Sequence, residues 1–145
     1  MSEYQYYEFQ AIDQPLTPTE MAELRALSSR AQITPTRFLN VYHWGDLKGD
    51  PVDWIKRYFD AFVYVANWGT HHFMVRLPRR FLDSRTVQPY AATGTVDVHA
   101  RHAAVIVEFR SAAAERFTAR LGPLRDRYAR RPSRLGRLER AGLTV

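Results

Sequence analysis

Apolar and polar residues change places with a period of two along EYQYYEFQAID (3–13), where Tyr7, Phe9 and Ala11 face one way and Tyr6, Glu8 and Gln10 the other. That period, with its aromatic enrichment, predicts a strand. LTPTEMAELRALSS (16–29) changes to a helical period and opens with a capping box: Thr17 as N-cap, Pro18 at the first helical position and Glu20 three residues on. Leu16 and Met21 have the spacing of a hydrophobic staple. RFLNVYHW (37–44) predicts a second strand, apolar on both faces and therefore central, followed by the turn GDLKGDP.

PVDWIKRYFDAFVYVANW (51–68) reads as one long helix, capped by Asp50 with Pro51 at its first position and closed by Gly69. Its second half is apolar all round, which predicts burial on two sides, by the fold or by a partner. THHFMVRLP (70–78) alternates again and predicts a third strand, RRFLDSRTV a surface turn region, and GTVDVHARHAAVIVEFR (94–110) a β-hairpin. Beyond it, Phe117, Leu121, Leu124 and Tyr128 form a single helical stripe, interrupted at Gly122-Pro123. The order β-α-β-α-β, then a hairpin, then helices, predicts an α+β fold: a mostly antiparallel sheet with helices packed on one face, for which a ferredoxin-like core is one arrangement, and an appended C-terminal helical segment. The expected organisation is a head domain over 1–110 and a basic amphipathic tail over 111–145.

Composition sharpens this division. The net charge is +6, yet residues 1–109 carry 11 Lys and Arg against 12 Asp and Glu, while residues 110–145 carry 10 Arg against 3 acids. Of the 21 basic residues 19 are Arg, the cation suited to bidentate contact with phosphate or carboxylate. Arg125, Arg127, Arg130, Arg131, Arg134, Arg137 and Arg140 are therefore candidate nucleic-acid contacts. A solvated docked helix, or the arginine preference of a GC-rich genome, explains the same run. The tail has only two aromatics, both on the apolar stripe, so it offers no stacking platform.

Cysteine is absent, which excludes disulfides, thiolate metal sites and cysteine nucleophiles. MSEYQYYEFQ has neither the basic nor the apolar region of a signal peptide, and AFVYVA is too short to span a bilayer, so a soluble, cytoplasmic protein without membrane contact is expected. Nucleophile elbows and glycine-rich phosphate loops are missing, so no cofactor is expected and the balance leans away from an enzyme. VYHWGDLKGD (41–50) is the one stretch with catalytic ingredients, and His43, Asp46 and Asp50 are its weak candidates for a hydrolase. The plain reading, a glycine-bearing turn leading into a capped helix, explains the same residues and outweighs it. His71 and His72 point to opposite faces of a strand, and His99 and His102 lie at a turn without a carboxylate at ligand spacing, so no metal site is expected.

The segments EFQAID, YHWGDLKGDP and ANWGTH, together with LRDRYARRPSRLGRLERAGL at the C-terminal end, resemble a family of uncharacterised bacterial proteins that share this N-terminal pattern and tail. Larger members carry a long charged middle region, missing here. The resemblance implies a head and a helical tail and brings no catalytic residue with it. It favours recruitment or scaffolding over self-contained catalysis. The leading expectation is a non-enzymatic protein-interaction module contacting a protein partner or a second copy through Tyr6, Tyr42, Trp44, Phe62, Tyr64 and Trp68. Nucleic-acid binding by the tail is the alternative.

Overall fold

The computed structural model of the chain describes residues 3–91, 95–101 and 103–111, which belong to a first unit, Met1–Ala113. In chain order the described elements are β1 (Gln5–Gln10), α1 (Pro18–Leu27), β2 (Gln32–Thr34), β3 (Arg37–Tyr42), α2 (Pro51–Arg57), β4 (Ala61–Ala66), β5 (His71–Pro78), α3 (Ser84–Ala91), β6 (Val96–Ala100) and β7 (Ala104–Ser111). The strands form one antiparallel sheet in the order β2-β3-β1-β4-β5-β7-β6. The fold class is α+β, as the sequence predicts.

The first four strands have a simple logic. β3 pairs antiparallel with β2 and β1, and β1 pairs antiparallel with β3 and β4. β1-α1-β2 therefore joins two parallel strands with β3 between them, and β3-α2-β4 does the same around β1. These are the two interleaved split β-α-β units of a ferredoxin-like arrangement. β5, β7 and β6 extend this sheet beyond β4.

Local chemistry starts α1 and α2 where the sequence places them. Thr17 Oγ1 accepts from Glu20 N at 3.2 Å and Glu20 Oε2 accepts from Thr17 N at 2.8 Å, a complete capping box. Asp50 accepts from Asp53 N at 3.0 Å at the start of α2. Gly49 lies under the Trp54 indole, where a Cβ would fall 2.4 Å from the ring. Gly45 and Gly69 adopt left-handed φ of 84° and 90°, which side chains disfavour.

The long helix over 51–68 is not formed. α2 ends at Arg57, and Ala61–Ala66 is β4, the middle strand of the sheet. An apolar run of this length suits a buried helix or a strand covered on both faces, and period cannot tell the two apart. Its β-branched and aromatic content and its six-residue length fit the strand. Phe62 and Tyr64 point to one face, Val63 and Val65 to the other. Gly69 belongs to the β4–β5 turn, in which Ala66 N donates to Thr70 O at 2.9 Å. Two further elements were not expected: the short edge strand β2, and α3, which replaces the second half of the supposed turn region. The hairpin β6-β7 and the alternation of β5 are as predicted.

α1 and α2 cover one face. Leu24, Trp54 and Ile55 pack there with Phe9, Phe38, Phe59, Phe62, Met74 and Ile106, all buried. The aromatic rings interlock, with centroids 4.4 Å apart for Phe9–Phe62 and 5.0 Å for Phe38–Trp54. α3 is added on the opposite face, where Val87 packs with Val105 and Val107. No helix among the described residues is long and apolar enough to cross a membrane.

Candidate functional site

The stretch 41–50 is the end of β3 followed by a turn over 43–50. His43 is exposed, with its ring 5.9 Å from that of Tyr4. Asp46 accepts from the Tyr7 hydroxyl at 2.5 Å and from Leu47 N at 2.7 Å. Burial, reinforced by the hydrogen bond to Asp46, pushes the Tyr7 phenol well above its ordinary range. Asp50 caps α2. Both carboxylates have structural duties, and among the described residues no second catalytic group is shown at His43.

The six interface candidates do not form one surface. Phe62 is buried, and Tyr42 and Tyr64 are half-buried on the helix-covered face. The Tyr64 hydroxyl donates to Gln5 Oε1 at 3.0 Å, and the Tyr42 hydroxyl lies 3.2 Å from Ser28 Oγ. Tyr6 is on the opposite face and donates to Glu8. Trp44 and Trp68 differ: they are 74% and 51% exposed. Strand register puts them at the same end of the sheet, where β3 and β4 finish and β1 begins, since Gln5 lies opposite both Tyr42 and Ala66. Tyr4, 38% exposed, stands between them, its backbone tied to Asn67. The Arg30 guanidinium lies 5.8 Å from the Trp44 ring centre. An aromatic end of Tyr4, His43, Trp44 and Trp68 results. The tail arginines from Arg125 to Arg140 lie outside the described residues, as does His102.

A third cluster was missed from sequence. Glu108 on β7 is 1% exposed. Strand pairing places Met74 and Asp97 directly opposite it, so His72 and His99 are its diagonal neighbours from β5 and β6. His99 Nε2 lies 2.9 Å from Glu108 Oε2, and Arg110 donates to Oε1 through Nε at 2.6 Å. His72 Nε2 approaches the same Oε1 to 2.6 Å, but the ring is not aimed for a hydrogen bond to it. Burial alone would raise the Glu108 carboxyl. The hydrogen bonds from His99 and Arg110 and the adjacent cationic charge outweigh burial and hold it below its ordinary value. Burial dominates at His72 and lowers its imidazole, with Arg110 adding to the effect and Glu108 opposing it.

The two imidazoles address different oxygens of one carboxylate, and a guanidinium shares the site. Among the described residues no three His, Asp or Glu side chains are arranged to hold a metal ion. What the cluster does is bind three strands together through one buried charge. Its only sequence signal was Glu108 itself, an acid at an inward position of an otherwise apolar strand.

No family model matches the chain, and no curated protein or solved structure matches it either.

Proposed function

We propose that this chain is a non-enzymatic interaction module that associates with a second copy of itself through the aromatic end. The carrying observation is that two tryptophans and a tyrosine, from three separate segments, are exposed at one end of the sheet. Exposed indole of this extent is costly on a surface that stays free. Tryptophan, tyrosine and arginine are the residue types that dominate contact energies, and Arg30 stands beside Trp44. The dedication of Asp46 and Asp50 to structure also supports binding over hydrolysis.

The test is light scattering coupled to size exclusion across a concentration range, on the wild type and on Trp44→Ser/Trp68→Ser. Both positions are exposed, so the fold survives the change. A wild-type dimer with a dissociation constant in the micromolar range, weakened at least roughly ten-fold in the double variant, is expected. A wild type that is monomeric throughout, or a dimer indifferent to both substitutions, overturns the proposal. Repeating the run with RNA at low salt reads the alternative: a mobility shift lost at high salt assigns binding to the arginines instead.

A further inference from the structure

The opposite end of the sheet carries a cleft of about 920 Å³, in the size range of small-molecule sites. β1 and β5 end there and β4 begins there. Its floor is an ion pair: Arg76 donates to Asp60 Oδ1 from Nε at 3.1 Å and from the terminal nitrogen at 2.6 Å. Asp60 Oδ2 accepts from Ile12 N at 2.6 Å and Asp13 N at 2.8 Å, which fixes the loop forming one wall. Those bonds to backbone and guanidinium keep the Asp60 carboxyl below its ordinary value although burial opposes them.

Donors are in surplus in this cleft. Arg57, Arg76 and Arg80 all line it, and a guanidinium carries five N–H groups. Arg76 spends three of its five N–H groups on Asp60 and on Lys56 O. Arg57 makes one long contact to Glu23 at 3.6 Å, and Arg80 has no carboxylate partner among the described residues. On the acceptor side, Asp60 is saturated, and Glu20 is committed to the capping box of α1. Among the described lining residues, Asp13 alone has an uncommitted carboxylate.

The apolar lining points the same way. Ile12 and Phe81 are 70% and 69% exposed beside the cleft. Arg57 stacks over Tyr58 and Arg80 over Phe81, each guanidinium 4.8 Å from the ring centre. Such stacking holds the guanidinium plane in place while its N–H edges stay open for a bidentate acceptor.

We propose that this cleft binds a small aromatic anion, a phosphate or carboxylate carrying a planar apolar body. Arg57 and Arg80 take the anionic group, and Phe81 and Ile12 take the ring. Arg76 supplies its remaining donors from the floor. Asp13 opposes the charge and limits affinity.

The experiment is isothermal titration of the full chain with naphthyl phosphate and naphthoate, and with inorganic phosphate and naphthol as the two halves of the ligand. Dissociation constants of roughly 10–100 µM are expected for at least one aromatic anion, with each half weaker by roughly ten-fold or more. The tighter of the two anions identifies the acid group. Arg57→Gln/Arg80→Gln, both exposed, is expected to lose roughly ten-fold in affinity, the worth of a charge-assisted bidentate contact. Asp13→Asn is expected to gain affinity. Trp44→Ser/Trp68→Ser leaves the binding unchanged, so this site and the aromatic end fail independently. No saturable binding of either anion at millimolar concentration, or binding indifferent to the arginine substitutions, overturns the proposal.

Discussion

The two halves of the sheet are held by different physics. Around β1, β3 and β4 the interior is aromatic: Phe9, Phe38, Phe59 and Phe62 are essentially without solvent contact, and Trp54 closes over them. Around β5, β7 and β6 the apolar cluster beneath α3 is small, and a buried carboxylate shared by two imidazoles and a guanidinium ties the strands together on the other face. Removing apolar area from water stabilises with little regard to pH. A buried carboxylate holds strands only while it stays ionised beside its cationic partner, and losing that partner leaves its charge uncompensated. The half with the richer apolar core is expected to contribute more of the stability, and the charged half, through His72, its dependence on pH near neutrality.

The largest effect is expected at the centre of the aromatic half. Phe9→Ala removes a ring that touches Phe38, Trp54, Phe59 and Phe62 and is expected to cost about 3–5 kcal/mol. Urea denaturation measures it, and the loss should be the same at pH 7 and pH 5.5. A loss below about 1 kcal/mol would mean that the core closes over the gap and that this half is not the main source of stability.

Next comes Glu108→Gln, expected to cost about 3 kcal/mol at pH 7 because Arg110 and His99 lose their charged acceptor and His72 the carboxylate beside it. Here the pH dependence decides. Burial lowers the His72 imidazole below 6.5, so the folded chain binds that proton less readily than the unfolded one. Its contribution is complete above pH 6.5 and is lost as the pH falls below that value. The Glu108 carboxyl is held below 4.5, so its contribution is complete above pH 4.5 and disappears as the pH falls further. Two acid steps are expected in the wild type. His72→Leu should remove the upper step and Glu108→Gln should reduce the lower one, to which the lowered carboxyls of Asp60 and Glu8 also contribute. The groups facing His72 are Glu108, Arg110 and, at longer range, Asp50. A wild-type stability flat between pH 7 and pH 5 would contradict the neutral, buried state of His72.

The same contrast separates what the sequence revealed from what it concealed. Thr17, Pro18 and Glu20 signal their helix start because the capping box is local, and β5 signals itself because its two faces differ. Residues 61–66 read as helix because both faces of this strand are apolar, so the alternation that marks strands is absent. Phe62 and Tyr64 line the interior instead of a partner surface, whereas Trp44 and Trp68, flanking turns, are exposed. The Glu108 cluster was invisible for a different reason. His99 appeared to lack a carboxylate because ligand spacing was sought along the chain, and the carboxylate arrives from the facing strand, two positions off register. Arg80 and Phe81 were hidden in a segment that read as a plain turn.

The smallest effect tests the local end of the comparison. Thr17→Ala removes the acceptor of Glu20 N while leaving Leu16 and Leu24 buried, so α1 loses a cap and no packing. A cost of about 1 kcal/mol is expected. It should add independently to that of Glu108→Gln, because the two sites share no partner among the described residues. A double variant that costs more than the sum by about 1 kcal/mol or more would show that the two halves are coupled across β4 and β5. The division between an aromatic half and a charged half would then describe the sources of stability but not separable cooperative units.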